Sequence, residues 1–214
     1  GTRLEPITRI VPKPLLPVGE KPMMELIMDS FAQNGFYSFL ISINYKKEFI
    51  KTYLAERKDL TYSINCIEEE AFLGTAGSLK LMEKDLIETF FVSNCDILVD
   101  MSYVSALDFH YKEKNSITIV GALKKISVPY GVIRIGESGG FAGIDEKPDL
   151  PFIVNTGVYL LEPSVIRCIA PGETVDMPDL ISRVANDGGR IGLFPVHRKW
   201  IDIGQWREYK TLLD

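Results

Sequence analysis

The sequence predicts an α/β protein: a Rossmann-like, doubly wound mixed sheet with helices on both faces and a smaller lid. Three observations carry this. Between residues 22 and 96, β-prone apolar runs alternate with stretches whose apolar residues recur at helical spacing, the pattern of parallel strands joined by right-handed helical crossovers. The apolar run at 90–94 stops just short of Asp96, as expected where a ligand crevice lies beyond the carboxyl ends of the strands. From residue 116 onward the alternation gives way to strands separated by short glycine or proline turns, which suits a partly antiparallel lid. At 214 residues the chain reads as one domain, with 1–115 forming one half and 116–214 the other.

Taken in order, Met24, Ile27, Met28 and Phe31 mark a helix that Asn34-Gly35 stops. FLISIN (39–44) is a buried strand. Phe49, Ile50, Tyr53 and Leu54 mark a second helix, and TYSINCIEE (61–69) alternates like a strand. LGTAGSLKLM is a glycine turn running into a helix, with Thr75 placed to cap it. FFVSN (90–94) is another buried strand. Val104, Leu107 and Tyr111 give a further helix and SITIVGAL (116–123) a further strand. YGVIRIG, FAGIDEKP and FIVNTGVYLL are the lid strands. Helices follow at 164–169 and 177–187, strands lie within 193–203, and QWREYKTLL closes as a helix.

Composition narrows the function classes. Hydrophobic residues make up 46% of the chain and charged residues 25%, enough for a buried core with an ordinary surface. With 24 basic and 29 acidic residues the net charge is −5, which argues against wholesale nucleic-acid binding but not against a local basic pocket. No apolar run approaches the ~20 residues of a membrane span. The three cysteines, Cys66, Cys95 and Cys168, lack metal-ligand spacing and read as core thiols of a reduced, cytoplasmic protein. His110 and His197 carry no sign of catalysis.

The chemistry concentrates in GTRLEPITRIVPKPLLPVGEKP (1–22). Prolines at 6, 12, 14, 17 and 22 exclude a through-running helix or a central strand. Arg3, Arg9, Lys13 and Lys21 supply positive charge, and Gly1 and Thr2 open the stretch where backbone N–H groups can approach an anion. An ordinary solvated loop explains the same residues. Asp96, at a strand end, suits a hard cation bound by one or two carboxylates plus phosphates, or a plain turn. Gly74 and Gly77 let backbone approach a flat ligand, or simply begin a helix. Glu146 and Lys147 sit in a turn.

In their order along the chain these segments resemble the sugar-1-phosphate nucleotidylyltransferases, whose pattern is a short strand followed by GGxGTRLxPxTxxxPKPLxPVxxKP. Gly1, Thr2, Arg3, Leu4, Pro6, Thr8, Pro12, Lys13, Pro14, Leu15, Pro17, Val18, Lys21 and Pro22 all match. The family's later landmarks follow as GTAG, CD, EKP, NTG and WIDIG, where Gln205-Trp206 replaces the usual Thr-Pro. The resemblance implies a reaction of a nucleoside triphosphate with a sugar 1-phosphate, giving a nucleotide sugar and pyrophosphate. It implies Arg3 and Lys13 as catalytic residues, and Gly1, Thr2, Gly74, Thr75, Ala76 and Gly77 as nucleotide contacts. Glu146, Lys147, Asn155 and Gly157 would bind the sugar phosphate, and Asp96 and Asp202 would hold Mg²⁺. One of Glu68, Glu69 and Glu70 would face the base, and a carboxylate accepting from a guanine edge tilts the base toward GTP. Neither nucleic acid nor membrane is an implied partner; a homo-oligomer and fusion to further domains stay open. No C-terminal β-helix repeat is present in the chain.

Two expectations complete the reading. The family's first strand and leading glycines precede Gly1, so roughly 10–15 further residues, the length of a strand and turn, are expected upstream. Strands 39–44 and 90–94 should then flank the place of that strand rather than pair with each other. A non-catalytic nucleotide-sugar-binding regulator and a CMP or phosphocholine transferase of the same fold are the alternatives; the joint presence of Arg3, Lys13, Asp96 and Asp202 speaks against the first, and EKP and WIDIG against the second.

Overall fold

The computed structural model describes residues 4–57, 61–197, 200–204 and 209–210. The basic N-terminal segment forms two 3₁₀ turns, Ile7–Arg9 and Lys13–Leu15, and a small ladder of β1 (Pro17–Val18) and β2 (Lys21–Pro22). Its prolines leave no longer element available. Helix α1 (Met23–Ala32) follows and ends in a turn in which Gly35, at φ +91°, and Phe36 donate to the carbonyls of Ala32 and Phe31. Then come β3 (Ser38–Ile43), α2 (Lys47–Glu56), β4 (Ser63–Glu68), a single helical turn α3 (Gly74–Gly77) that passes into 3₁₀ geometry over Ser78–Met82, β5 (Phe90–Ser93) and β6 (Ile97–Val99). Helix α4 (Tyr103–Lys112) starts from Ser102, whose Oγ accepts from the Ser105 N–H. The remainder is β7 (Ile117–Ser127), β8 (Val132–Ile135), β9 (Phe141–Asp145), β10 (Asp149–Leu161), a 3₁₀ segment Pro163–Cys168, α5 (Met177–Asn186), β11 (Ile191–Val196) and β12 (Trp200–Asp202).

A four-stranded mixed sheet in the order β11-β7-β10-β5 is the centre of the molecule. Alternation along its strands feeds two cores. Val120, Ala122, Val158 and Leu160 face Met23, Ile27, Phe31, Tyr103 and Ala106 of α1 and α4. Ile117, Tyr159 and Leu161 face Leu79 and Met82 together with Met177, Leu180 and Val184 of α5. Helices therefore cover both faces, as the doubly wound expectation requires. Helix α1 is buried on a second side too, where Met24 and Met28 pack with Ile43, Ile50 and Tyr62 of the parallel β3–β4 pair and α2. Strands β3 and β5 do not pair with each other among the described residues. Phe31 links them instead, its ring 6.3 Å from Phe39 and 5.4 Å from Phe91.

The second half departs from the core as an arm. Beyond the end of β11, strands β7 and β10 run on as a two-stranded ribbon from Ile153↔Leu123 to Asp149↔Ser127, and the β8–β9 hairpin closes it. The lid strands are thus antiparallel, as expected. Two local readings are corrected. Where an α-helix over 164–169 is expected, Pro163–Cys168 forms a 3₁₀ segment, too short to propagate one. Cys95 is exposed rather than a core thiol, while Cys66 and Cys168 are half-buried. The closing helix is described only at Tyr209 and Lys210. No helix among the described residues is long and apolar enough to cross a membrane.

Candidate active site

Three separated segments meet at Gly204. Lys13, first residue of the second 3₁₀ turn, directs its ammonium onto Asp96 Oδ2 as a short ion pair. Asp96 follows β5 and precedes β6, and both side chains are largely buried, 16% and 12% exposed. Pairing of β12 with β6 sets Asp202 opposite Ile97, and the Ile203 N–H donates to the Asp96 carbonyl at 2.9 Å. The Gly204 N–H donates to Asp202 Oδ1, 2.9 Å away, which fixes that carboxylate. A Cβ on Gly204 would lie 2.5 Å from Asp96 Oδ2, 2.5 Å from Lys13 Nζ and 2.8 Å from Asp202 Oδ1. Three charged tips therefore crowd one point, and only glycine leaves them room. The structure thus brings together Lys13, Asp96 and Asp202, residues up to 189 positions apart (202 − 13 = 189).

A second cluster adjoins the first. The NTG segment is a bulge in β10, where the register to β7 shifts between Asn155 and Tyr159. Gly157, at φ +83°, donates to Asn155 Oδ1 and accepts at its carbonyl from the Asn94 N–H. A Cβ there would strike Asn94 Nδ2 at 2.6 Å. The Asn155 amide donates to the Tyr159 hydroxyl (2.7 Å). Asn94 stands two residues before Asp96, so the bulge lies beside the carboxylate cluster. Its strand-end position in SNCD was visible in the sequence, but its partner in β10 was not.

Two further basic groups of the loop, Arg9 and Lys21, are already compensated. Arg9 pairs with Glu5 at 2.7 Å and Lys21 with Asp29 at 2.6 Å. Lys46, the residue before α2 at φ +53°, donates to the carbonyls of Arg9 and Ile10, and so pins the loop from the end of β3. This support also escaped the sequence reading, because it joins segments 36 residues apart. Gly1, Thr2 and Arg3 lie outside the described residues, as do Gln205 and Trp206.

The GTAG loop shows a different use of glycine. The N–H groups of Ala76 and Gly77 donate to the Val175 carbonyl, and the Thr75 N–H donates to Asp176 Oδ1 at 2.9 Å. Cβ atoms on Gly74 and Gly77 would collide with the carbonyls of Val175 and Glu173. The glycines thus admit the 173–176 segment. Thr75 caps α5, not its own helix as expected: its Oγ accepts from the Met177 N–H at 2.8 Å, because Asp176 aligns the two segments. Among the three glutamates upstream, Glu68 is held by Lys47 and Lys51, whose hydrogen bonds pull its carboxyl down to about 2. Glu69 accepts from the Ser42 hydroxyl and the Leu73 N–H, bracing the loop. Glu70 is exposed and its side chain has no partner among the described residues.

Glu146 and Lys147 lie at the bend between β9 and β10, far along the arm. Lys147 has φ +44° although Pro148 follows it, a conformation disfavoured for a side chain with a Cβ and the kind of strain that collects at ligand sites. No hydrogen bond or ion pair among the described residues ties Glu146 or Lys147 to the carboxylate cluster. His110 is buried between Thr118 Oγ1 (2.8 Å) and Glu162 Oε1 (3.0 Å), a packing role.

The described residues hold no group of three or more His, Cys, Asp or Glu side chains fit to cage a metal. Two convergent aspartates still suit Mg²⁺, which takes few protein carboxylates and completes its shell with water and phosphate oxygens.

Comparison with known proteins places this architecture. Residues 1–213 match the nucleotidyl transferase family. The chain is 33% identical to the mannose-1-phosphate guanyltransferase of Aspergillus fumigatus over 225 residues, covering 99% of the chain and 60% of that protein. It is 30% identical to the UTP–glucose-1-phosphate uridylyltransferase of Synechocystis over 229 residues, covering 98% of the chain and 59% of that protein. The chain thus spans about 60% of the length of these relatives. Among solved structures, HddC from Yersinia pseudotuberculosis superposes with a TM-score of 0.75 at 23% identity, over 94% of the chain and 88% of HddC. A Bacillus anthracis protein crystallised with sucrose superposes with a TM-score of 0.77 at 20% identity, over 99% of the chain and 89% of that protein. By motif, fold and relatives alike, the chain belongs to the sugar-1-phosphate nucleotidylyltransferase family.

Proposed function

We propose that the protein joins a nucleoside triphosphate to a sugar 1-phosphate, releasing pyrophosphate and forming a nucleotide sugar. The observation that carries this is the meeting of Lys13, Asp96 and Asp202 at Gly204, beside the NTG bulge. The sugar phosphate's own oxygen is the nucleophile. With a second pKa of about 6 it is ionised near neutrality, so no general base is required and no catalytic triad should be sought. The protein's work is then positioning and charge stabilisation around the α-phosphorus. Asp96 and Asp202 would hold Mg²⁺, which when bound neutralises phosphate charge. Lys13 would stabilise the charge that grows on the five-coordinate phosphorus, and Arg3 the departing pyrophosphate.

The two halves of the chain divide the substrates in this reading. The N-terminal loop, with Gly1 and Thr2, would take the nucleotide phosphates. The Gly74–Gly77 loop, latched by residues 173–177, would wall the base. On the other side Glu146 and Lys147 would reach the sugar phosphate from the arm, with Asn155 and Gly157 lining the sugar pocket next to Asn94. GTP is the favoured nucleotide. Glu70 stands ahead of the glycine loop with a carboxylate that can accept from the N–H groups of a guanine edge, and several relatives are named mannose-1-phosphate guanyltransferases.

Pyrophosphate release, measured with the full protein, each of the four ribonucleoside triphosphates and a panel of sugar 1-phosphates, tests both parts. Release with GTP exceeding that with UTP is expected. Release with no pair in the presence of Mg²⁺ would overturn the enzymatic reading and favour a regulator.

A further inference from the structure

The Lys13 ammonium and a divalent cation would compete for the same oxygen. Lys13 Nζ lies against Asp96 Oδ2, and both atoms stand 2.5 Å from the point that a Gly204 Cβ would occupy, with Asp202 Oδ1 2.8 Å from it. The pair is largely buried, so neither charge is well solvated without the other. Mg²⁺ binds carboxylate oxygens at about 2.1 Å, so a metal on Asp96 Oδ2 would sit beside the ammonium, cation against cation.

We infer that Lys13 is the resident counter-ion of Asp96, beside Asp202, in the nucleotide-free protein, so that divalent metal enters efficiently only with the triphosphate. The inference rests on the reading of these aspartates as the metal site. The triphosphate supplies anionic oxygens that draw Lys13 off Asp96 and at the same time complete the metal's shell. Lys13 thus exchanges a carboxylate for a phosphate, and the metal takes its place. Free metal is held weakly, metal and nucleotide strengthen each other reciprocally, and the lysine reaches the reacting phosphate only when the metal is loaded.

Mn²⁺ titration of the full chain, followed by loss of the free-ion electron paramagnetic resonance signal, tests this without turnover. Without nucleotide, Lys13→Met and Lys13→Gln should bind Mn²⁺ at least ~10-fold tighter than wild type, given the strength of a charge–charge contact at a few ångströms in a partly buried site. Lys13→Arg, which keeps the charge, and Lys21→Met, whose lysine pairs with Asp29 outside the site, should bind as wild type does. Asp96→Asn in the Lys13→Met background should cancel the gain. With GTP added, wild type should bind Mn²⁺ tightly beyond what a protein-free Mn²⁺–GTP control sequesters. If it does, yet neither Lys13→Met nor Lys13→Gln gains affinity in the absence of nucleotide, the counter-ion role is overturned while the metal reading stands. If no variant binds Mn²⁺ with or without GTP, the metal reading falls and takes this inference with it. Should both neutral variants fail to fold, wild type decides: tight Mn²⁺ binding without nucleotide overturns the proposal.

Discussion

The carboxylate cluster and the arm are built on opposite principles. Lys13 and Asp96 form a largely buried ion pair, and pairing of β6 with β12 fixes the half-buried Asp202 beside them. The arm is a two-stranded ribbon ending in a hairpin that turns one face of Ile133, Ile135, Phe141 and Ile144 outward, each at least 57% exposed, and its other face carries the Arg134–Asp145 pair. Two strands alone are marginally stable in water. In the proposed reaction, groups that must meet a reacting phosphorus within a fraction of an ångström belong on the first kind of support. Groups that only grip a substrate can be carried on the second.

The comparison breaks most directly at the aspartates. Asp96→Asn or Asp202→Asn should lower turnover by at least ~100-fold, the scale of removing a principal electrostatic stabiliser. Steady-state pyrophosphate release at limiting Mg²⁺ measures this, and wild-type rates in either variant would end the assignment. A smaller effect separates the two supports. Lys13→Ala should reduce kcat and kcat/KM together, whereas Lys147→Ala should mainly raise KM for the sugar phosphate by roughly 10-fold, as loss of a uniform binding contact does. The reverse pattern would exchange their roles.

The glycine loop offers a stability test. Thr75→Val keeps the shape but loses the cap on α5 and the bond to Asp176, which should cost about 1–2 kcal/mol in urea unfolding. An unchanged midpoint would mean that the latch contributes nothing. The smallest effect concerns an exposed charge. Lys47 and Lys51 depress the Glu68 carboxyl from its ordinary 4.5 to about 2. Its contribution is therefore present above about 4.5 and fades as pH falls toward 2. Because the pair is solvent-exposed, Glu68→Gln should flatten the acid limb of the stability curve only slightly. A large acid shift would show that the β4 edge bears more of the stability than its exposure suggests.

Periodicity, prolines and turn glycines account for most of the elements, because helix and strand are decided by spacings of two to four residues. The helix over 23–32, the strands at 38–43 and 90–93 and the antiparallel lid are all visible at that range. The candidate site residues were chosen at the same range, since strand-end aspartates and glycine turns stand out locally. What local chemistry left open is who meets whom. Thr75 has the residue type of a cap, but only docking of the 173–176 segment decides which helix it caps. Three adjacent glutamates are equivalent on paper, yet lysines of α2 claim Glu68, Ser42 and Leu73 claim Glu69, and Glu70 is left to the solvent. Lys13 looks like a phosphate ligand in a basic loop, and the fold gives it a buried aspartate 83 residues away. Burial is the physical reason for the difference. A charge on a solvated chain carries no information about its partner, but one taken out of water must be matched by whatever the packed core brings within reach.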